Sequence, residues 1–266
     1  MNARTRSAQE PAPQTTAQVQ ARDLLNQGVQ AFKNGQYGEA TQDFLHANQL
    51  DPKLLNARLY LATTYASQYI PGAPSEENAH MGRQAVEEFR GVLSIDPQNL
   101  SAIDGMGSML FQMAGEPFDP DLFLESKTSH EKHIHLRPQD PEPYYWIGVI
   151  DWTLAFRANG QLRARFNLSV RGKQLSDGAP LPPELRDEYA REYGATIEEG
   201  IESLRHAIAL RPDYDDAMAY LNLLYRRKAD IVAGTAEREE LLKTADDLID
   251  RVKEIKTKRM EQPTEP

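Results

Sequence analysis

The sequence predicts an all-α fold built from repeated pairs of helices, and two observations carry that prediction. The first is a tetrapeptide of constant form, in which Leu or Ile is followed by a charged residue and then by Pro. It ends at Pro52, Pro97, Pro138 and Pro212. The second is that each copy lies between two amphipathic stretches with helical spacing. Because proline cannot continue the helix before it and is tolerated where the next element begins, these prolines separate successive helix pairs.

The first unit, residues 21–54, carries the side chains of a known repeat. Gly28 is a small residue in its first helix, and Ala40, Phe44 and Ala47 line one face of its second helix. With its length and its closing proline, the unit resembles the tetratricopeptide repeat (TPR). The resemblance implies a TPR-type right-handed helical solenoid of about five helix-turn-helix units.

Counting from each proline extends this register along the chain. The unit starts fall near residues 21, 55, 100, 141 and 215. Units two, three and four are longer than the 34 residues of a TPR unit, so their internal turns carry insertions, the longest at about residues 153–194. We expect residues 1–20 to be a disordered lead-in, residues 21–260 to form a single TPR solenoid, and residues 261–266 to be a tail.

The last stretch predicts a C-terminal capping helix over residues 235–259. Apolar residues recur every three or four positions from Leu241 to Ile255. Acidic residues come early and basic residues late, which suits the helix dipole. A solenoid needs such a cap, and we expect it to pack on the first helix of the fifth unit.

Composition excludes several classes of function. The formal net charge is −10, which disfavours binding to nucleic acid or to anionic lipid surfaces. The absence of cysteine excludes disulfides, thiolate metal sites and cysteine nucleophiles. No stretch approaches the 18 apolar residues of a membrane span, and residues 1–20 hold no signal-peptide core. As written, the sequence predicts a cytoplasmic protein, or an extracytoplasmic (periplasmic) one if a leader has been removed.

Three of the six histidines, His130, His133 and His135, fall within six residues and raise the question of a metal site. Imidazole is the commonest transition-metal ligand, so metal binding or enzymatic chemistry at this cluster is the alternative function. The TPR register favours a structural interpretation, because His130 and His133 occupy the helix-packing places that Phe44 and Ala47 hold in the first unit. We therefore predict no metal site.

No catalytic motif accompanies this architecture. The two glycines of "GMGSML" lie inside a predicted helix rather than after a strand, and no nucleophile elbow or Walker motif is present. The sequence therefore predicts a protein that is not an enzyme and that needs no cofactor.

The TPR resemblance implies a concave groove, lined mainly by the first helix of each unit, that binds peptides or partner helices. Aromatic side chains concentrate binding energy at interfaces, so the groove aromatics are the expected anchors. The predicted groove residues are Phe32, Phe111, Tyr145, Trp152, Arg226 and Arg227. The alternative is that the insertions fold back and cover these aromatics.

The long insertion carries a basic stretch with no acidic residue between positions 153 and 175. Its basic residues are Arg157, Arg163, Arg165, Arg171 and Lys173. They could pack against the acidic remainder of the chain, recruit an acidic partner, or contact phosphate or lipid head groups. Because apolar residues alternate with them, intramolecular packing is the favoured interpretation.

The sequence thus predicts a non-enzymatic protein-protein interaction scaffold or assembly factor with a protein or peptide partner. It predicts no nucleic acid partner and no membrane span, and a structural homo-oligomer is a second alternative. The order of the insertions also resembles a group of bacterial, often exported, TPR proteins.

Overall fold

The computed structural model describes residues 15–170 and 174–261. These residues form helices and no strand, as the sequence predicted. The helices are α1 (Thr16–Lys33), α2 (Tyr37–Leu50), α3 (Leu55–Gln68), α4 (Glu76–Ile95), α5 (Leu100–Ala114), α6 (Pro120–Leu136), α7 (Pro141–Ser169), α8 (Pro183–Leu210), α9 (Asp215–Ala229) and α10 (Thr235–Glu261). They group into two compact units that divide between Met109 and Leu110, inside α5. The single solenoid over residues 21–260 stays a prediction.

In the first unit, successive helices pack in chain order, α1 on α2, α2 on α3 and α3 on α4. Phe44 of α2 is fully buried, and its ring lies directly against Gly28 of α1. A Cβ atom at Gly28 would stand 2.6 Å from Cε1 of that ring. The small residue and the aromatic residue of the repeat therefore form one contact, which sets how closely α1 and α2 approach.

In the second unit, α6, α7, α8, α9 and α10 pack in chain order, and α7 also contacts α9. The same small-to-large contact recurs, with Gly148 of α7 against the Leu204 side chain of α8. Tyr189 is fully buried, and its hydroxyl donates a hydrogen bond to the Ala155 carbonyl at 2.8 Å. This core fixes α7 and α9, the two helices that carry the candidate site.

The proline stops act as the sequence predicted. The second helices of the first four pairs end at Leu50, Ile95, Leu136 and Leu210, two residues before each proline. The residue between helix and proline has left the helical conformation in every case, as at Asp51 (φ −140°, ψ 89°). This is the conformation that a following proline imposes on its neighbour.

The predicted insertion at about residues 153–194 is mainly helix rather than a widened turn. α7 continues through it for 29 residues, and α8 then begins at Pro183 and runs for 28. The reason is local, because residues 153–169 contain no proline and one glycine, Gly160. The extra length of unit four therefore lengthens both of its helices.

The two ends of the chain hold more helix than the sequence predicted. α1 begins at Thr16, inside the predicted lead-in, because the Thr15 side chain accepts a hydrogen bond from the Gln18 amide in a capping box. Residues 1–14 and 262–266 lie outside the described residues. The capping helix is confirmed, since α10 packs on α9 and buries Ala245 and Val252.

Candidate functional site

Four aromatic side chains line adjoining faces of α7 and α9, and we call them the α7/α9 aromatic surface. They are Tyr145, Trp152 and Phe156 of α7 and Tyr220 of α9. The Tyr220 ring meets Tyr145 and Trp152 nearly at right angles, with centroids 5.8 Å and 5.2 Å away. Trp152 stacks on Phe156 at 5.2 Å. The four rings thus form one continuous aromatic row across two helices.

Helical spacing produces this row. Positions 145, 152 and 156 are seven and four residues apart, which places them on one face of α7. Tyr145, Trp152 and Tyr220 are half-buried, and Phe156 is 42% exposed. Each ring therefore packs partly against the core of the second unit and is partly exposed to solvent.

A bridge between the two helices closes one end of the surface. Arg211 donates from Nη1 to Oε1 of Glu142 at 2.9 Å, and the Tyr214 hydroxyl donates to Oε2 of the same carboxylate at 2.9 Å. The Arg211 guanidinium also lies over the Tyr214 ring, 4.3 Å from its centroid. Burial, together with the bond to Glu142, raises the pKa of Tyr214. Glu142 thereby joins the start of α7 to the start of α9.

A second carboxylate, Asp216, lies in the first turn of α9, four residues before Tyr220 and on the same face of that helix. Asp216 is exposed to solvent. Burial raises the pKa of Tyr145 and of Tyr220, and the charge of Asp216 raises both further. This end of the aromatic surface is therefore acidic.

Two predicted groove aromatics lie elsewhere. Phe32 is in the first unit, where it contacts Tyr37 at 5.5 Å. Phe111 packs between Phe123 at 5.3 Å and Trp146 at 5.2 Å, against a buried cluster of the second unit. The structure therefore brings Tyr145 and Trp152 together. Phe111 is half-buried like them and reaches Tyr145 only through Trp146.

The two predicted groove arginines differ from each other. Arg226 is partly exposed and pairs with Asp246. Arg227 is buried, donates to Oδ1 of Asn159 at 2.8 Å and lies 3.4 Å from Asp230. Arg227 was expected to face a partner, but its guanidinium is directed into the unit, because a buried carboxylate attracts it there.

The basic stretch contacts acidic residues of the second unit. Arg157 pairs with Glu116 at 3.2 Å, and Arg165 pairs with Glu188. Arg163 is buried and binds Oδ1 of Asn159 at 2.7 Å and Oδ1 of Asp230 at 3.2 Å. These contacts agree with intramolecular packing. Arg171 and Lys173 lie outside the described residues.

The histidine cluster divides between the core and the surface. His130 and His133 are buried, whereas His135 is exposed. His130 stacks on Trp146 with centroids 6.0 Å apart, and Oδ2 of Asp140 lies 3.3 Å from Nε2 of His133. Burial, helped by the neighbouring His133, lowers the pKa of His130 to about 4. Within residues 15–170 and 174–261, no three His, Asp or Glu side chains are grouped so that they could hold a metal ion.

An ion trio between α6, α7 and α8, in which Lys127 and Asp151 are buried and Glu199 is exposed, was not predicted from the sequence. The Lys127 ammonium lies 2.7 Å from Oδ1 of Asp151 and 2.9 Å from Oε2 of Glu199. Burial alone lowers the pKa of Lys127, but the two carboxylates outweigh it and the net shift is upward. Helical spacing alone gave no sign that these residues would meet. Tyr220 was not predicted either, because its place beside Trp152 depends on the contact between α7 and α9.

Comparison with solved structures identifies the fold. The crystal structure of MamA matches with a TM-score of 0.58 at 14% identity, covering 93% of this chain and 98% of that one. The 41-end form of MamA from Desulfovibrio magneticus RS-1 gives 0.58 at 16% identity, with 92% and 98% covered. YrrB, described as a TPR protein with an unusual peptide-binding site, gives 0.54 at 13% identity, with 89% and 92% covered. The chain therefore has a TPR-type fold.

No family model and no curated protein matches the sequence. In the part of the chain that the structure describes, no helix combines the length and the hydropathy needed to cross a membrane.

Proposed function

We propose that this protein is a non-enzymatic interaction scaffold whose α7/α9 aromatic surface binds a peptide or a partner protein. The observation that carries the proposal is the row of four rings, which the core holds in place and which stays partly open to solvent. Tyrosine and tryptophan offer large contact areas at a small cost in conformational entropy, because each has two side-chain torsions. Such residues dominate the binding energy of many protein interfaces.

The position of the row in the fold supports the same proposal. α7 and α9 are the first helices of the fourth and fifth pairs, and the TPR resemblance implies that first helices line the binding groove. YrrB, one of the structural neighbours, is described as having a peptide-binding site. Phe32, Phe111 and Arg226 stay predicted partner contacts, whereas the guanidinium of Arg227 is directed into the second unit.

Affinity capture from an extract of the source cells tests the proposal. The wild type is compared with the double variant Tyr145→Ala, Trp152→Ala, and with Tyr60→Ala as the control. Tyr60 is an aromatic residue of α3 that is 37% exposed. A protein recovered by the wild type and the control, and lost from the double variant while its circular dichroism is unchanged, supports the surface. Equal recovery by all three rejects it.

A second copy of the chain is the competing occupant. Light scattering of the purified protein measures its mass in solution. If the wild type is a dimer and the double variant is a monomer, the α7/α9 aromatic surface binds a second copy of the chain and not a different protein. A monomer whose mass is equal in the wild type and in the variant leaves the surface to another protein.

A further inference from the structure

One carboxylate beside the α7/α9 aromatic surface has no ionic role within the described part of the chain. Asp216 is exposed and forms no ion pair or side-chain hydrogen bond with residues 15–170 or 174–261. Its neighbour Asp215, by contrast, pairs with Arg259 at 2.8 Å. Both lie in the first turn of α9, where an acidic residue suits the helix dipole. That effect explains an acid at this turn. Asp216 also lies four residues before Tyr220, which places the two residues on the same face of α9.

Elsewhere in the second unit, a carboxylate next to an aromatic ring binds an arginine side chain. At the adjoining end of the surface, the Arg211 guanidinium lies over the Tyr214 ring and binds the Glu142 carboxylate. The same arrangement recurs where Arg157 lies over the Phe118 ring, 5.3 Å from its centroid, and pairs with Glu116. An arginine that lies over a ring and pairs with a carboxylate thus occurs at these two places, and again where Arg227 lies over the Phe156 ring, 5.9 Å from its centroid, and 3.4 Å from Asp230.

Asp216, Tyr145 and Tyr220 repeat this combination with no cation from the described residues. Tyr145 and Tyr220 form adjoining walls that are nearly perpendicular, and Asp216 lies one helical turn before Tyr220 on the same face of α9. The charge of Asp216 accordingly contributes to the raised pKa of both tyrosines. An anionic ligand would meet this carboxylate, the nearby Glu142 and the overall charge of −10. A cationic side chain would instead be attracted by both the carboxylate and the rings.

We propose that Asp216, Tyr145 and Tyr220 form a subsite for an arginine or lysine side chain of the bound peptide, next to an apolar residue that contacts Trp152 and Phe156. The inference rests on the proposed function, since it names the chemistry of the partner at that surface. The subsite would prefer a partner segment that has a basic residue next to an aromatic or aliphatic one over an acidic segment.

A defined peptide set tests the subsite. The probes are fluorescein-labelled nonapeptides of Ala and Ser, with Leu, Phe or Trp at the centre and Arg, Lys, Gln or Glu at each of the other positions in turn. Anisotropy titrations give their dissociation constants for the wild type, Asp216→Asn, Asp121→Asn and the double variant Tyr145→Ala, Trp152→Ala. Asp121 is the matched control because it is an exposed acid in the first turn of another helix, α6.

We expect the best Arg or Lys peptide to bind the wild type about threefold to tenfold more tightly than its Gln counterpart. Asp216→Asn should remove that preference, and Asp121→Asn should retain it. A higher salt concentration should reduce the difference between the dissociation constants of the Arg and Gln peptides, because salt screens the charge of Asp216.

The remaining outcomes separate the two proposals. If peptides bind and need Tyr145 and Trp152, but Arg, Gln and Glu probes bind equally, the cationic subsite is wrong and the interaction surface stands. The subsite is equally wrong if a basic preference survives in Asp216→Asn. If no probe binds in a way that depends on Tyr145 and Trp152, the proposed function fails and the subsite fails with it.

Discussion

The indole of Trp152 meets the ring of Tyr220 edge-on, with centroids 5.2 Å apart, and so joins α7 to α9. Both residues are half-buried, so each contributes to the packing of the second unit and to its surface. Edge-to-face contacts of this kind stabilise by about 0.5–1.5 kcal/mol beyond the area they bury. The candidate binding surface is therefore held by the same contacts that hold the two helices together.

Because of that dual role, replacement of Trp152 should affect both stability and binding. We expect Trp152→Ala to lower the free energy of unfolding by about 2–4 kcal/mol, as for a partly buried large aromatic side chain. Trp152→Phe should recover most of that loss. Urea unfolding measures both variants, and a loss below about 0.5 kcal/mol for Trp152→Ala would show that the ring does not pack as described.

The buried His130 should make the protein less stable in acid. Its pKa is about 4 in the folded protein and near 6.5 in the unfolded chain, so the unfolded chain takes up the proton first as the pH falls. The stability that neutral His130 provides is full above about pH 6.5 and is lost progressively towards pH 4, by up to about 3 kcal/mol.

The variant His130→Phe removes this titration and keeps a ring against Trp146. We expect its unfolding free energy to fall less steeply than that of the wild type between pH 6.5 and pH 4. The exposed residue His135 is the control, and His135→Phe should leave the wild-type slope unchanged. Parallel curves for the wild type and His130→Phe would contradict the burial of a neutral imidazole.

The ion trio of Lys127, Asp151 and Glu199 should contribute strongly to the free energy of unfolding, and a second substitution should restore part of what the first one removes. Burial raises the pKa of Asp151 to about 7 even beside Lys127. Lys127→Met therefore leaves this 0% exposed carboxyl group without its counter-charge or makes it bind a proton, and we expect a destabilisation of about 3–5 kcal/mol at pH 8. Adding Asp151→Asn removes the carboxyl group that has lost its partner, so the double variant should recover a large part of the lost free energy of unfolding. Urea titrations of the two single variants and the double variant form the cycle, and strictly additive losses would mean that the two charges do not interact.

The buried Arg163 should matter far more than the exposed Arg165 of the same basic stretch. Arg163→Gln removes one buried partner each from Asn159 and Asp230 and leaves both with Arg227, so we expect a loss of about 2–4 kcal/mol in the free energy of unfolding. Arg165→Gln should leave the urea midpoint within experimental error. Equal midpoints for both variants would argue that the basic stretch does not pack within the unit.

The close approach of α1 and α2 depends on Gly28. Gly28→Ala places a methyl group against the fully buried Phe44 ring, and we expect a loss of about 1–3 kcal/mol. Gly38→Ala on α2 is the control, because a Cβ atom there has no neighbour within 4 Å. That variant should be neutral or slightly more stable. Similar unfolding temperatures for the two variants would overturn the helix contact.

The helix pairs could be predicted from the sequence because their signals are local. A proline stops a helix through its own ring, and Gly28 and Phe44 lie sixteen positions apart in a repeat whose register is fixed. The buried Arg227 could not be predicted in the same way. Its partners Asn159 and Asp230 make it an interior residue, and Asn159 lies 68 positions away.

The candidate site was predictable in part. Tyr145 and Trp152 follow from the repeat register, which places them on the first helix of unit four. Phe156 and Tyr220 complete the row only because α7 continues beyond the length of a standard repeat helix and contacts α9 along its side. That geometry depends on tertiary packing, which the spacing of residues along one helix does not reveal.

Site-specific photo-crosslinking tests the central claim most directly. Phe156→p-benzoylphenylalanine places the reactive group on the α7/α9 aromatic surface, and Tyr60→p-benzoylphenylalanine places it on the first unit as the control. We predict that position 156 crosslinks to a discrete partner segment, identified by mass spectrometry, and that Trp152→Ala in the same chain suppresses the crosslink. A crosslink at position 156 that is insensitive to Trp152→Ala, or partner capture from position 60 alone, would contradict the assignment of this surface.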